Sequence, residues 1–189
     1  MSAQTLSINC TGATSIHVAF TVYNANAYVP KYNGTNMNCS AGVIDASVYT
    51  FDCYLEGITG GASDVVSTPT CAAACYPSLY VLGFSGEIAS SGIDGSPGTL
   101  TPWPNTFGLT TTPSASNELA IICLNWISGT TTPSVDSSFV AGPVAITTGG
   151  TSYGGGIFYK IKTDALGERP TILGAGDAGA ASLQFYKHS

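Results

Sequence analysis

The chain has 189 residues, a net charge of −6 and only 8% charged residues, where an average domain has about 25%. So little Lys, Glu and Arg excludes long solvated helices, because such helices carry charge on their outer face. Five basic residues do not supply the clusters that neutralise phosphate, so we expect no nucleic-acid partner.

Apolar runs alternate with clusters of Pro, Gly, Ser and Thr roughly every ten to fifteen residues, a rhythm typical of a β-sandwich. The sequence therefore predicts an all-β protein, a jelly-roll-like antiparallel β-sandwich forming a single domain over residues 1–189. The predicted strands are TLSINC, SIHVAFTVY (15–23), SVYTFDCYLEGI (47–58), SLYVLGFSG (78–86), ELAIICLNWI (118–127), SFVAGPVAIT (138–147), GGGIFYKIK (154–162), RPTILGA and ASLQFYK (181–187).

Two of these runs are almost continuously apolar, which favours central strands that are covered on both faces. They are SLYVLGFSG and ELAIICLNWI. In the second run, alternation places Leu119, Ile121 and Cys123 on one face and Ala120, Ile122 and Leu124 on the other.

Two segments do not read as strands. CAAACY has local helix character, but Pro69 and Pro77 bracket it closely and limit it to one or two turns. Residues 90–117 carry four prolines among many Gly and Thr, which predicts an irregular connection with one short strand near Phe107.

Ser85 lies in Gly83-Phe84-Ser85-Gly86, which resembles the glycine-flanked serine of a hydrolase. The second glycine follows the serine directly, no helical pattern comes next, and a serine nucleophile needs a base. The available histidines are His17, inside an apolar run, and His188, the penultimate residue. We therefore interpret this motif as a strand that ends in a turn, and expect no catalytic residue there.

The carboxylates give no motif with a distinctive spacing. Asp52 and Glu56 share a strand face by parity, close to Asp45, and a glycosidase pair is the functional alternative to carboxylates scattered over the surface. Asp94 in GIDGSPG is interpreted as part of an Asx-turn, because a calcium loop needs several oxygen ligands. We expect no metal and no cofactor.

Six cysteines are present: Cys10, Cys39, Cys53, Cys71, Cys75 and Cys123. No window of about eighteen apolar residues and no basic start with an apolar run is seen, so we expect neither a membrane-spanning helix nor a secretory signal. Without a signal the reduced state is the default, with Cys123 as a buried thiol; a bridge between Cys71 and Cys75 is the alternative.

Tyrosine, asparagine and glycine concentrate in two stretches, YNANAYVPKYNG and TTGGTSYGGG. Tyr and Asn together make adaptable binding surfaces in loops. Tyrosines at sheet edges are the structural alternative for the first stretch, and a flexible loop that enters a strand is the alternative for the second. The candidate partner-contact residues are Tyr28, Tyr32, Asn33, Tyr153 and Gly154.

Several segments resemble one group of known proteins. LYVLGFSGEIASSGIDG, SASNELAIICLNW, YGGGIFYKIKTDALGERPTI and AGAASLQFYK resemble, in the same order, strands of bacterial and bacteriophage jelly-roll proteins. The resemblance covers residues 79–187 and implies a virion-surface or tail-associated component without shared catalytic residues. The six cysteines depart from the pattern of that group.

The sequence thus favours a non-enzymatic virion structural or attachment protein, such as a capsid decoration or a fibre- or tail-associated domain. Its partners would be copies of itself, capsid or tail proteins, and a host-surface glycan is a further option. The alternative is a secreted carbohydrate-binding module that uses Tyr and Trp side chains; a glycan-cleaving jelly-roll enzyme ranks third. We expect a homo-oligomer located on the virion.

Overall fold

A computed structural model describes residues 3–23, 29–40, 42–45, 47–70, 76–86, 92–100, 113–114, 116–127, 132–136, 138–147, 153–173 and 178–187. These residues form sixteen strands, all of whose pairs are antiparallel, which confirms the all-β antiparallel sandwich. Within this part of the chain, no helix is long and apolar enough to cross a membrane. The strands are β1 (Thr5–Ile8), β2 (Ser15–Tyr23), β3 (Lys31–Tyr32), β4 (Thr35–Asn36), β5 (Asn38–Cys39), β6 (Val43–Asp45), β7 (Val48–Glu56), β8 (Asp64–Ser67), β9 (Tyr76–Phe84), β10 (Ile93–Leu100), β11 (Leu119–Ile127), β12 (Ser134–Val135), β13 (Val140–Thr147), β14 (Tyr153–Ile161), β15 (Ile172–Leu173) and β16 (Ala178–Tyr186).

Two five-stranded sheets form the centre of the molecule. The N-terminal main sheet has the order β5-β7-β2-β9, with β6 also paired to β7, and the C-terminal main sheet has the order β10-β16-β11-β14-β13. They pack face to face, with β7 lying against β11 and β16, and β9 against β13 and β14. A small sheet, β1-β8-β3-β4, covers the outer side of the first, and the β12-β15 pair covers the outer side of the second.

The strand pairing divides the chain into two consecutive halves. Every described pair joins strands inside residues 3–86 or inside residues 92–187. Each half therefore contributes one main sheet and its own small covering sheet. The sequence predicts a single domain over residues 1–189, and the strand pairing separates that range into two halves.

Strand β11 is central, as the sequence predicts. It pairs with β14 on one side and β16 on the other, and Leu119 to Trp126 are all buried. Its odd-numbered side chains face the other main sheet, and its even-numbered apolar side chains pack into the outer cluster. Continuous apolar character therefore did predict burial on both faces.

The prediction that SLYVLGFSG forms a central strand is wrong. Strand β9 lies at the end of its described sheet, paired with β2 alone, and its residues are mostly half-buried. Pro77 lies within β9, and proline is tolerated at a sheet edge because it has no N–H to donate to a second neighbour. This edge strand is apolar because alternate side chains pack on its two faces, one against the core of its own half and the other against the second main sheet.

The irregular connection predicted for residues 90–117 is also partly wrong. Ile93–Leu100 form β10, which pairs with β16 across a register shift between Asp94 and Gly98. Gly95 adopts a φ of 71° at that shift, so the glycine supplies the backbone conformation that the irregularity requires. Phe107 and the CAAAC segment of residues 71–75 lie outside the described residues.

Candidate functional site

Ser85 follows the last residue of β9 and is exposed in a turn, as predicted. Gly86 has a φ of 87°, and its N–H donates to Thr14 Oγ1 at 3.0 Å, which fixes the turn. His17 is fully buried in β2. The turn geometry therefore does not resemble the strand-to-helix elbow of a hydrolase.

A cysteine, a histidine and an aspartate do come together between the two main sheets, an arrangement that the spacing does not reveal. Tyr186 donates its hydroxyl to Asp52 Oδ2 at 2.7 Å, the Cys123 thiol is hydrogen-bonded to Asp52, and the His17 ring packs edge-on against Tyr186 at 4.4 Å. All four side chains are at most 1% exposed.

This buried cluster does not favour nucleophilic chemistry. Burial, followed by the charge and hydrogen bond of Asp52, raises the pKa of Cys123 well above its usual range. The thiolate is the reactive form of cysteine, so a thiol that stays protonated is inert. We interpret the cluster as a polar packing element between the sheets, and Cys123 is the buried free thiol that the sequence predicts.

The expectation of carboxylates scattered over the surface holds for Asp136 and Asp164, which are exposed, but not for four others. Asp52, Asp64, Glu118 and Glu168 are buried. Asp94 lies in β10 instead of a turn and accepts a hydrogen bond from the Ser114 N–H. Burial alone would raise the pKa of Asp94, but hydrogen bonds from Ser114 and Glu118 outweigh it and hold the pKa below its usual value. Across the described residues, no group of three or more His, Cys, Asp or Glu side chains is arranged to hold a metal ion.

Two predicted contact residues, Tyr32 and Asn33, serve the fold. Tyr32 is 4% exposed and donates its hydroxyl to Asp64 at 2.5 Å, while Asn33 Nδ2 donates to the same carboxylate at 2.9 Å. Asn33 and Gly34 have φ angles of 46° and 83° and form the turn between β3 and β4. An Asn-Gly pair between short strands is a strong hairpin signal, and it was available in the sequence.

Two further contact predictions, Tyr153 and Gly154, fall at the start of β14. Gly154 to Gly156 lie inside this strand, as the predicted strand over 154–162 has them, and they are buried. A Cβ on Gly155 would lie 2.5 Å from the Tyr80 ring, and one on Gly154 would overlap Trp126. Tyr153 is described by its backbone only, and Tyr28 lies outside the described residues, so partner contact at both stays a prediction.

The reduced state expected for the cysteines is wrong for one pair. Cys39 and Cys53 form a disulfide that joins β5 to β7, where the two residues are direct cross-strand partners. The two residues lie 14 positions apart, so sequence proximity did not indicate the pair. Cys71 and Cys75 lie outside the described residues, and Cys10 is buried with a free thiol.

Most charged side chains gather at one end of the sandwich, which we call the charged end. It is the end where β2, β11 and β10 begin and where β7, β14 and β16 finish. Lys160 and Lys162 both donate to Glu168 Oε1, at 2.8 and 2.5 Å, and Lys162 also pairs with Asp164 at 3.0 Å. Lys162 is 1% exposed. Burial alone would lower its pKa, but the two carboxylates outweigh burial and raise it.

The opposite end, which we call the tyrosine end, is where β2, β11 and β10 finish and where β7, β14 and β16 begin. The two main sheets are aligned there, because Asn125 donates to Thr50 Oγ1 across them, two residues from the end of each strand. Tyr23 and Tyr76 pair at this end with ring centroids 6.2 Å apart, and Tyr76 is 54% exposed. The strand-terminal residues of this end are Tyr23, Asp45, Val48, Tyr76, Leu100, Ile127, Thr147, Tyr153 and Ala178.

The segments that adjoin these strand ends in the sequence carry almost no charge. By chain continuity, residues 24–28, 71–75, 128–131, 148–152 and 174–177 each adjoin one of its strand ends. Asp177 is the single charged residue in these five segments. Lys31 and Asp45 are the charged residues of neighbouring short strands. Both stretches that sequence analysis proposed for partner contact therefore begin or end here.

The chain was compared with protein-family models, with curated proteins and with solved structures. None of the three comparisons finds a match.

Proposed function

We propose that this protein is a non-enzymatic structural or attachment component of a virion, a capsid decoration or a fibre- or tail-associated β-sandwich. In this proposal it binds its partner, a capsid or tail protein or its own copies in a homo-oligomer, through the tyrosine end. The observation that supports it is the separation of charge from aromatic surface between the two ends. The resemblance of residues 79–187 to phage jelly-roll proteins points the same way.

The charged end is poorly suited to bind a partner by charge. Its lysines Lys160 and Lys162 already pair with Glu168. A partner would have to break these pairs and desolvate the charges, and that free-energy cost would offset the gain from a new ion pair. Asp64 likewise accepts hydrogen bonds from Tyr32, Asn33 and Gly61. These groups maintain the fold of the chain.

The tyrosine end suits a contact made by neutral groups. Interface centres are depleted of charge and enriched in aromatic residues, and Tyr76 is an exposed ring supported by a second ring, Tyr23. Residues that bind partners concentrate in connections held by a rigid scaffold. At this end the scaffold includes the central strands β2 and β11, which are buried up to one residue from their ends.

The disulfide also fits a protein that works outside a reducing cytosol. Disulfides persist in oxidising settings, which include virion surfaces and secreted proteins. Cys39–Cys53 therefore supports the virion proposal and the second candidate, a secreted carbohydrate-binding module, about equally. The exposed Tyr76 beside Tyr23 favours that second candidate specifically, because sugar rings stack on exposed aromatic faces.

The test is where the native protein is found. Antibodies against the chain should detect it in the heavy fraction when source material is sedimented, and should label particles in electron micrographs. A soluble monomer absent from particles would contradict the proposal. If that monomer also binds a glycan, and Tyr76→Ala weakens the binding at least tenfold while Leu166→Ala does not, the carbohydrate-binding candidate replaces it.

A further inference from the structure

The two halves of the chain share no described backbone hydrogen bond. Strand pairs and turn bonds stay within residues 3–86, as between the Thr14 N–H and the Phe84 carbonyl, or within residues 92–187, as between the Lys162 N–H and the Glu118 carbonyl. A sheet that crossed between the halves would tie their unfolding together. Among the described residues, the hydrogen bonds between the halves each involve at least one side chain, as between Thr50 Oγ1 and the Ala180 carbonyl.

Each half has an apolar cluster of its own. In the first half Ile16, Val18 and Phe20 of β2 pack outward against the small covering sheet. In the second half Ile122, Leu124 and Trp126 of β11 pack outward against the β12-β15 pair. Each main sheet therefore buries its most apolar face within its own half, and a separate hydrophobic core is what defines an independent unit.

The face between the halves has a different character. It buries a third cluster that mixes apolar residues such as Ile121 and Ile157 with the rings of Tyr80 and Tyr186. It also buries the Tyr186–Asp52 and Asn125–Thr50 hydrogen bonds.

The same face also carries a hydrogen bond from Thr50 Oγ1 to the Ala180 carbonyl at 3.4 Å. The polar side chains that alternate along β2 and β7 thus face the other half, where an isolated half would expose them to water. Interfaces between domains are more polar than the cores inside them, and this face fits that description.

We propose that residues 3–86 and 92–187 are two cooperative folding units, and that the face between the main sheets is a docking surface on each unit whose partner is the other half of the same chain. Proteins open in contiguous units whose boundaries follow packing and backbone bonding. In the described part of this chain, the core packing and the backbone hydrogen bonds of the first half end by Gly86, and those of the second half begin from Gly92 onward. A perturbation inside one core should therefore open that half and leave the other closed.

The experiment is hydrogen exchange followed by mass spectrometry on three full-length variants. Val18→Ala removes packing from the first core, and Ile122→Ala removes it from the second. Ile121→Ala is the matched neighbour that points to the docking surface instead.

We expect Val18→Ala to speed the slowest exchange of residues 3–86 about tenfold or more, and Ile122→Ala to do the same for residues 92–187 alone. Ile121→Ala should speed exchange by a smaller factor. If Val18→Ala fails to fold, Ile16→Val replaces it in the first core. If Ile122→Ala fails to fold, Ile122→Val replaces it in the second core. Equal acceleration in both halves from a single core variant would overturn the proposal, because it would show one cooperative unit.

Discussion

The two ends of the sandwich are ordered by different forces. At the charged end, the buried Lys162 and the half-buried Lys160 both pair with Glu168, and the Asp64 carboxylate accepts hydrogen bonds from Tyr32, Asn33 and Gly61. At the tyrosine end, order comes from close packing without charge, as where the Trp126 ring occupies the space left by Gly154. A chain with so few charges uses most of them within one end.

This difference bears on function. Removing one partner of a buried ion pair strongly destabilises the fold. The charged end therefore has little freedom to adapt to a binding partner. At the tyrosine end the described strands are held by packing that involves no charge, as between Gly154 and Trp126.

Glu168→Gln should destabilise the chain most, by about 3 kcal/mol, because it leaves the buried Lys162 ammonium with only the exposed Asp164 as partner. Urea unfolding at neutral pH measures the loss. Asp164→Asn is the matched control and should change stability much less, since Asp164 is 55% exposed. Equal losses from the two variants would show that burial of Glu168 does not matter to the charged end.

Gly155→Ala should destabilise the chain by about 1–3 kcal/mol, because the new Cβ would lie 2.5 Å from the Tyr80 ring. Gly83→Ala, on the edge strand β9, is the control with more space: its nearest neighbour would be Ala13 at 3.1 Å. Thermal unfolding compares the two. If Gly155→Ala behaved like Gly83→Ala, the close packing assigned to the tyrosine end would be wrong.

Asp64→Asn should produce the smallest of the three effects, and one that depends on pH. Hydrogen bonds from Tyr32, Gly61 and Asn33 hold the pKa of Asp64 below its usual value. The carboxylate therefore stabilises the fold fully above the unfolded pKa of about 3.9, and this contribution is lost as the pH falls through the lower folded value. The urea midpoints of wild type and variant should converge below about pH 4. A gap that stays constant with pH would mean that the charge of Asp64 contributes nothing.

Much of the scaffold could be predicted from sequence because strand burial leaves a period-two pattern. The pattern located β2, β7, β11, β14 and β16 and the strand-end turn at Ser85. It did not show which layer covers each face. The alternation of Thr50, Asp52 and Tyr54 suggests a solvent face, yet these side chains meet the second main sheet.

The site residues were harder to predict because their roles depend on contacts distant in sequence. Tyr32 and Asp64 lie 32 positions apart, and Tyr186 and Asp52 lie 134 apart. Nothing local to Tyr32 or Gly154 distinguishes a buried residue from an exposed one. The Asn33-Gly34 hairpin was the one local signal that could have been read.

Contact through the tyrosine end predicts how strongly the protein is retained on its particle across a salt series. Tyr28→Ala and Tyr76→Ala are the variants of choice, because single substitutions there leave the packing of Tyr32, Gly154 and Gly155 in place. Leu166→Ala, exposed at the charged end, is the control.

Wild type should stay bound up to about 1 M salt, where the Debye length is about 3 Å, because screening acts on charges and hardly on neutral contacts. Tyr76→Ala should weaken retention while Leu166→Ala does not. Release of wild type at moderate salt, or equal retention of the Tyr76→Ala and Leu166→Ala variants, would contradict the account.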